Sequence, residues 1–331
     1  MTAVGLMRAV VCHAPGASGT VTLDEVAAPR PAPGEVRVEV DYAGLNFPDL
    51  LLVRGLYQRR PEPPFIPGIE FAGRVVECGE GISEPAPGTP VIGYCGTGGF
   101  AEQVCCDARR LLVLPDFIPA EEGAGLTVAW ATAHYALIRR AGLRAGEWLV
   151  VTGAGGGTGL AAVQIGKAMG ARVAAVCSTA AKREFALANG ADAVIDGAAA
   201  DLKRALKALN DGNGADVAYD TVGGDAFDAL SRAMAWGGRL LVIGFASGRI
   251  PSLPANLALL KGYALVGAAW GAFVDREPDG WREGLEQLFD WYRDGAVRVP
   301  VDEVLPLEQA QEALTRLAER RVRGKLVLRC R

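Results

Sequence analysis

The sequence predicts an α/β protein of two domains, a doubly wound parallel sheet joined to a β-rich domain. Three observations carry that prediction. Residues 148–178, WLVVTGAGGGTGLAAVQIGKAMGARVAAVCS, read as strand, tight glycine turn, helix and strand. Beyond them, apolar strand-length runs alternate with helical segments, which is the pattern of a parallel sheet with crossover helices. Before residue 115 the chain reads instead as short strands separated by glycine and proline turns. At 331 residues the chain is long for one domain. The change of pattern assigns 1–120 and 285–331 to the β-rich domain and 121–284 to the parallel sheet.

Taken in order, residues 7–11 and 21–26 read as paired strands. Residues 35–42 alternate, with Val36, Val38 and Val40 facing one way and charges the other, which marks a half-buried strand. A turn into a short helix is expected over 44–52, and proline-rich coil over 61–67. Further short strands are expected at 71–77, 88–94 and 99–105. Residues 120–141 are apolar and small enough for one long helix or two. After the central unit, helices are expected at 181–189, 201–209, 225–234 and around 257–260. Strands are expected at 193–196, 216–220, 238–245 and 263–269. The tail predicts a helix over 280–292, a strand near Val301, a helix over 307–318 and a last strand over 325–329, which returns to the β-rich domain.

The central turn points to a phosphate. Gly153, Gly155, Gly156, Gly157 and Gly159 follow the apolar run 148–152. Glycine lets backbone approach a ligand closely and adopt positive φ. The first N–H groups of the helix have no internal partner, and the helix dipole adds positive potential there. A pyrophosphate suits that position. The register Ala154-x-Gly156-x-x-Gly159 departs from the strict G-x-G-x-x-G fingerprint at its first place. A glycine turn alone is also compatible with a plain tight turn. The strand–helix–strand context favours a dinucleotide.

The end of the second strand selects the dinucleotide. An NAD site usually carries an Asp or Glu there for the ribose 2′-hydroxyl. This chain has Cys177, Ser178 and Thr179, then Lys182 and Arg183. Hydroxyls and cations suit a 2′-phosphate, so NADPH is expected. The plain alternative is that both cations are solvated residues opening the next helix.

Composition bounds the rest. Half the residues are hydrophobic, 22% are charged, and the net charge is −4 with no basic block, so a nucleic-acid partner is not expected. No apolar run is long enough to span a membrane. Residues 1–16 lack the order of a signal peptide, so a cytoplasmic location is the default. Seven cysteines form no C-x-x-C pair, and only His13 and His134 accompany them. A disulfide framework and a local Cys/His zinc site are therefore not expected. On the first domain, Asn46, Asp49 and Tyr57 are candidates to face a bound nicotinamide. Asn46 can donate or accept a hydrogen bond, or simply cap a turn. Tyr57 can donate a proton, or simply pack. Asp49 can equally fix a turn.

Motifs spread along the chain are Gly44-Leu45-Asn46-Phe47-Pro48-Asp49, Gly55-Leu56-Tyr57, Pro67-Gly68-Ile69-Glu70-Phe71-Ala72-Gly73 and Gly125-Leu126-Thr127, with the glycine turn. Val242-Ile243-Gly244-Phe245-Ala246 and Pro254-x-Asn256-x-x-Leu259-Leu260-Lys261 follow further on. Together they resemble the zinc-independent quinone oxidoreductase branch, which includes zeta-crystallin, of the medium-chain dehydrogenase/reductase superfamily. The resemblance implies a Rossmann-type sheet and a GroES-like N-terminal domain. It also implies that neither zinc binds. Zinc-dependent relatives carry a cysteine ligand where Asn46 stands and a histidine ligand where Ile69 stands, and a structural-zinc lobe after the position of Tyr94.

Carried over residue by residue, the resemblance places Asn46 near the nicotinamide ribose and Thr127 beside the nicotinamide. Gly156, Gly157 and Thr158 match the pyrophosphate turn, and Ser178 and Lys182 the adenosine-phosphate subsite. Gly244 and Phe245 match the strand end at the nicotinamide, and Arg320 an arginine near the 2′-phosphate. Many relatives carry a tyrosine soon after the third sheet strand, stacked near that phosphate, where this chain reads Ile195-Asp196-Gly197. The implied reaction is hydride transfer from NADPH to a quinone or enone, with Asn46, Tyr57 or backbone N–H groups stabilising the oxyanion and Tyr57 or water supplying the proton. An enoyl-thioester reductase and a protein that merely binds NADPH are the alternatives. The family also implies a homodimer, with residues 263–270 as an edge strand or else an ordinary core strand.

Overall fold

The computed structural model describes residues 5–331, so the first four positions of the N-terminal reading lie outside it. Packing divides the chain into two compact units, 1–128 with 299–331, and 129–298. The changes of sequence pattern fall at 120/121 and 284/285.

In the first unit, β1 (Leu6–Val11) and β2 (Thr22–Ala27) form an antiparallel pair. Next come β3 (Glu35–Gly44), the short helix α1 (Phe47–Val53), β4 (Glu70–Cys78), β5 (Pro90–Tyr94), β6 (Gln103–Asp107) and β7 (Leu111–Val113). The alternation read in β3 is structural, since Val36, Val38 and Val40 are fully buried. The strand expected over 99–105 begins only at Gln103. Before it, the N–H groups of Gly99 and Phe100 are held by the carbonyls of Gly68 and Pro67, which fixes that stretch as a loop. Helix α2 (Ala120–His134) follows and runs on into a wider π-helical turn, Tyr135–Arg140.

The second unit alternates as expected: β8 (Trp148–Thr152), α3 (Gly157–Ala168), β9 (Arg172–Cys177), α4 (Ala180–Ala188), β10 (Ala193–Asp196), α5 (Leu202–Lys207), β11 (Ala215–Asp220), α6 (Gly224–Ala233), β12 (Met234–Val242), α7 (Ala255–Lys261), β13 (Ala264–Gly267), α8 (Trp270–Arg276) and α9 (Pro278–Arg293). All six strands are parallel, in the order β10-β9-β8-β11-β12-β13. The order reverses between β8 and β11, and that switch point is where open parallel sheets leave a crevice. Trp148, Val150, Val176, Leu206, Phe227 and Leu240 belong to one core cluster of this sheet. Strand β13 is an edge, with Leu265 exposed.

The chain then re-enters the first unit with β14 (Val301–Pro306), α10 (Ala310–Ala318) and β15 (Lys325–Arg329). Strand β15 lies parallel to β14 and antiparallel to β3, completing a seven-stranded sheet. The pairing Val327↔Gly44 brings Lys325, at the start of β15, beside the loop that carries Asn46.

Candidate active site

In the second unit, the turn after β8 is shaped by what its glycines exclude. Gly153 has φ 64°, a left-handed conformation that favours glycine. A Cβ on Gly159 would collide with the Gly153 carbonyl, so α3 packs directly on the turn. A Cβ on Gly155 would lie 2.9 Å from the Lys182 stem. Gly156 is the N-cap of α3, so no side chain caps the first turn, and no acid stands in it. A Cβ there would meet only the Gly153 oxygen, at 3.6 Å. An uncapped helix start with open space before it suits an anion. Thr158 does not aim its hydroxyl there. It donates to the Ala129 carbonyl at 2.9 Å and sits 3.2 Å from the Tyr219 hydroxyl, which leaves its backbone for the ligand.

At the end of β9, Ser178 is exposed and Thr179 caps α4, its hydroxyl accepting from the Lys182 N–H at 3.3 Å. Lys182 is half-buried against Gly155. Arg183 Nη1 lies 3.1 Å from Asp196 Oδ1. Burial pushes the neighbouring Cys177 thiol up to about 11, while Lys182 and Arg183 pull it down. This donor set of hydroxyls and cations, next to an uncapped helix start, fits a phosphate-bearing dinucleotide.

A clamp that the sequence did not reveal closes the switch point. The buried Asp220 carboxylate accepts from Thr152 Oγ1 at 2.5 Å and from the N–H groups of Val222 and Gly223 at 3.1 and 3.2 Å. Thr221 Oγ1 donates to the Thr152 carbonyl at 2.8 Å. The ends of β8 and β11 are thereby locked. The same region corrects an expectation: Gly244 and Phe245 stand in the loop after β12, not on the strand. Strand β12 ends at Val242, and just past it the Asp220 carbonyl accepts the N–H groups of Ile243 and Gly244, at 3.0 and 3.3 Å.

The first unit gathers a buried polar cluster around Asn46. Asn46 is 7% exposed, Lys325 2%, and Asp49, Glu70 and Thr127 are fully buried. Lys325 Nζ donates to Asn46 Oδ1 at 2.9 Å, to Glu70 Oε1 at 2.7 Å and to the Leu45 carbonyl at 2.7 Å. Asn46 Nδ2 donates to Glu70 Oε1 at 2.7 Å and to the Gly44 carbonyl at 3.3 Å. Glu70 Oε2 accepts from the Val128 N–H at 2.7 Å. Asp49 accepts from the N–H groups of Asn46 and Gly68, at 2.8 and 3.2 Å, and so takes the turn-fixing role. Burial pushes its carboxyl up to about 7, against those donors and Lys325. The expectation that Asn46 donates to an oxyanion therefore needs correction. Both amide hydrogens are spent, and its remaining capacity is as an acceptor through Oδ1.

Thr127 stands next to Val128 in α2, and its buried hydroxyl has no hydrogen-bond partner among the described residues. Tyr57 is half-buried; burial raises its phenol above the usual range, with Arg59 lowering it and Asp49 raising it further. Arg320 is exposed two residues past α10, in a left-handed conformation with φ 58°.

Residues 32–116 match the alcohol dehydrogenase GroES-like domain family, and residues 157–290 the zinc-binding dehydrogenase family. The quinone oxidoreductase-like protein 2 of Bos taurus is 37% identical over 310 residues, covering 93% of this chain and 88% of that protein. The chain belongs to the quinone oxidoreductase-like branch of the medium-chain dehydrogenase/reductase superfamily. Solved structures of similar chains share the whole fold. A probable oxidoreductase from Mycobacterium abscessus is 36% identical with a TM-score of 0.89, covering 98% of this chain and 99% of that one. The Escherichia coli quinone oxidoreductase complexed with NADPH is 28% identical with a TM-score of 0.90, covering 97% and 99%. The Rossmann-type sheet and GroES-like domain of this quinone oxidoreductase-like chain are thus those of its family. The segment matching the zinc-binding dehydrogenase family contains neither Asn46 nor Ile69. Among the described residues, no three His, Cys, Asp or Glu are grouped to hold a metal ion, and no helix is long and apolar enough to cross a membrane.

Proposed function

We propose that this chain binds NADPH and reduces a quinone or another conjugated carbonyl without a metal. The observation that carries this reading is the uncapped glycine start of α3 beside Lys182. In this reading the backbone of Gly156, Gly157 and Thr158 holds the pyrophosphate, and Ser178, Lys182 and Arg320 hold the 2′-phosphate. Bound NADPH supplies a hydride from its nicotinamide. The unpartnered Thr127 hydroxyl and Asn46 Oδ1 orient the nicotinamide end, with Gly244 and Phe245 beside it. Tyr57 or water delivers the proton to the reduced acceptor oxygen. At the position of one family zinc ligand stands the Asn46 amide, and the nearby Glu70 carboxylate already binds an ammonium. That supports an acceptor that is electron-poor without Lewis-acid help.

The test is steady-state NADPH oxidation with 1,4-benzoquinone, an enone, an enoyl thioester and a simple aldehyde, on protein assayed for zinc. Turnover of quinone or enone by zinc-free protein supports the reading. Aldehyde-only turnover or stoichiometric zinc refutes it. Thioester preference moves the substrate class, and tight NADPH binding without any turnover favours a binding protein. For the assembly we propose a homodimer joined along the β13 edge. Trp236 is 82% exposed, and Leu259, Leu260 and Leu265 are exposed in the same stretch of the unit. Light scattering on the native protein and on Leu265→Lys tests it.

A further inference from the structure

We infer that Lys325 and Glu70 are positioning residues for Asn46: their buried ion pair reads the orientation of the Asn46 amide and fixes it with its oxygen as the acceptor. This rests on the proposed function only for the use to which that oxygen is put. A buried ion pair is a poor device for stability alone. Desolvating both charges costs several kcal/mol, and apolar residues of similar size usually serve a core as well or better. Here the network is complete. The three donors of Lys325 Nζ meet three acceptors, and both Asn46 amide hydrogens are used.

The charges also exclude the alternative. Flipping the Asn46 amide would set its NH2 against the Lys325 ammonium and its oxygen against the Glu70 carboxylate. Both contacts would be repulsive, so one orientation survives. The backbone is cleared to admit the pair. A Cβ on Gly44 would lie 2.6 Å from Glu70 Oε1, and one on Gly125 3.1 Å from Lys325 Cε. Glu70 also holds the Val128 N–H, which ties the Asn46 loop to the helix turn that bears Thr127. Asn46 is the most exposed member of the cluster, at 7%.

The test compares wild type, Lys325→Met, Glu70→Gln and the charge-neutral double variant E70Q/K325M, each checked for folding by thermal melt. The double variant guards against an unpaired buried charge unfolding either single one. The first readout needs no activity. The chain has five asparagines, so selective 15N-asparagine labelling gives few side-chain signals, and Asn46→Ala assigns the one of interest. The Asn46 amide hydrogens should exchange slowly with solvent in wild type and at least about 10-fold faster in the double variant. Equal protection in both would overturn the inference, because the amide would then be held without the pair. The second readout is coupling in kcat/KM with NADPH and quinone. Asn46→Ala should cost about 10-fold in wild type and under about 2-fold in the double variant, since residues that act as a unit are not additive. An undiminished Asn46→Ala effect in the double variant would also overturn it. If wild type shows the protected amide but no turnover, the reductase reading falls while the positioning of Asn46 stands.

Discussion

Arg183 Nη1 lies 3.1 Å from Asp196 Oδ1, joining the start of α4 to the end of β10. Asp196 also accepts from the Ala198 N–H at 3.0 Å. An acid at this strand end would repel a 2′-phosphate, but here its charge is offset by a guanidinium. The neighbouring Lys182 is then the cation whose removal should discriminate between the coenzymes. Lys182→Ala is expected to weaken NADPH binding about 10- to 100-fold, the worth of a charge-assisted hydrogen bond, and NADH binding less than about 2-fold. Fluorescence titration with both coenzymes measures the ratio. Equal losses would mean that Lys182 serves only to pack on Gly155.

Two glycines of the turn should separate folding from binding. Gly159→Ala forces a methyl into the Gly153 carbonyl, so the expected loss is about 1–3 kcal/mol of stability, with coenzyme binding lost as well. Gly156→Ala meets nothing closer than 3.6 Å, and its φ of −103° suits any residue. Its melting temperature should stay within about 2 °C of wild type. Its NADPH affinity should nevertheless fall about 10-fold or more, because the methyl enters the space before the helix start. Unchanged affinity in Gly156→Ala would place the diphosphate elsewhere.

The contrast between what could and could not be read in the sequence has a physical origin. Strands β8 and β9 fall at the expected residues because a strand buried on both faces is a continuous apolar run bounded by glycine or polar residues. The alternation of β3 was equally plain. Lys325 was invisible as part of any site. In sequence it merely opens a strand, and it lies 255 positions from Glu70. The pairings of β15 with β3 and of β3 with β4, which meet at Gly44, bring the two together. The Asp220 clamp was missed because its partner Thr152 lies 68 positions away, on an adjacent parallel strand. Gly244 and Phe245 lie beyond the last ladder pair, Asp220↔Val242, and apolar patterning does not encode where a ladder stops.

Thr127 offers a test of function that stability should not confound. Its hydroxyl is fully buried without a hydrogen-bond partner among the described residues, so the fold loses its hydration without a matching bond there. Thr127→Val keeps the shape and removes the unmatched group. The melting temperature should hold or rise, by the equivalent of up to about 1 kcal/mol, while kcat/KM falls about 10-fold. A destabilised variant with full turnover would show instead that the hydroxyl serves the fold.

Asp49 predicts a particular dependence of stability on pH. Burial raises its carboxyl to about 7 in the folded chain, outweighing the Asn46 and Gly68 N–H groups and Lys325. The unfolded carboxyl titrates near its ordinary value of about 4. Between those limits the folded chain holds a proton that the unfolded chain has released. The contribution is therefore fully present below about pH 4 and is lost as pH rises through about 7. Asp49→Asn removes the titration while keeping one oxygen acceptor. The difference in melting temperature, wild type minus Asp49→Asn, should decline from about pH 4 to about pH 7 and then level off. Only this slope matters, since the offset also contains the N–H that the amide can no longer satisfy. A difference that stays flat from about pH 4 to about pH 7 would mean that Asp49 is ionised in the fold, with Lys325 and the two backbone donors winning over burial.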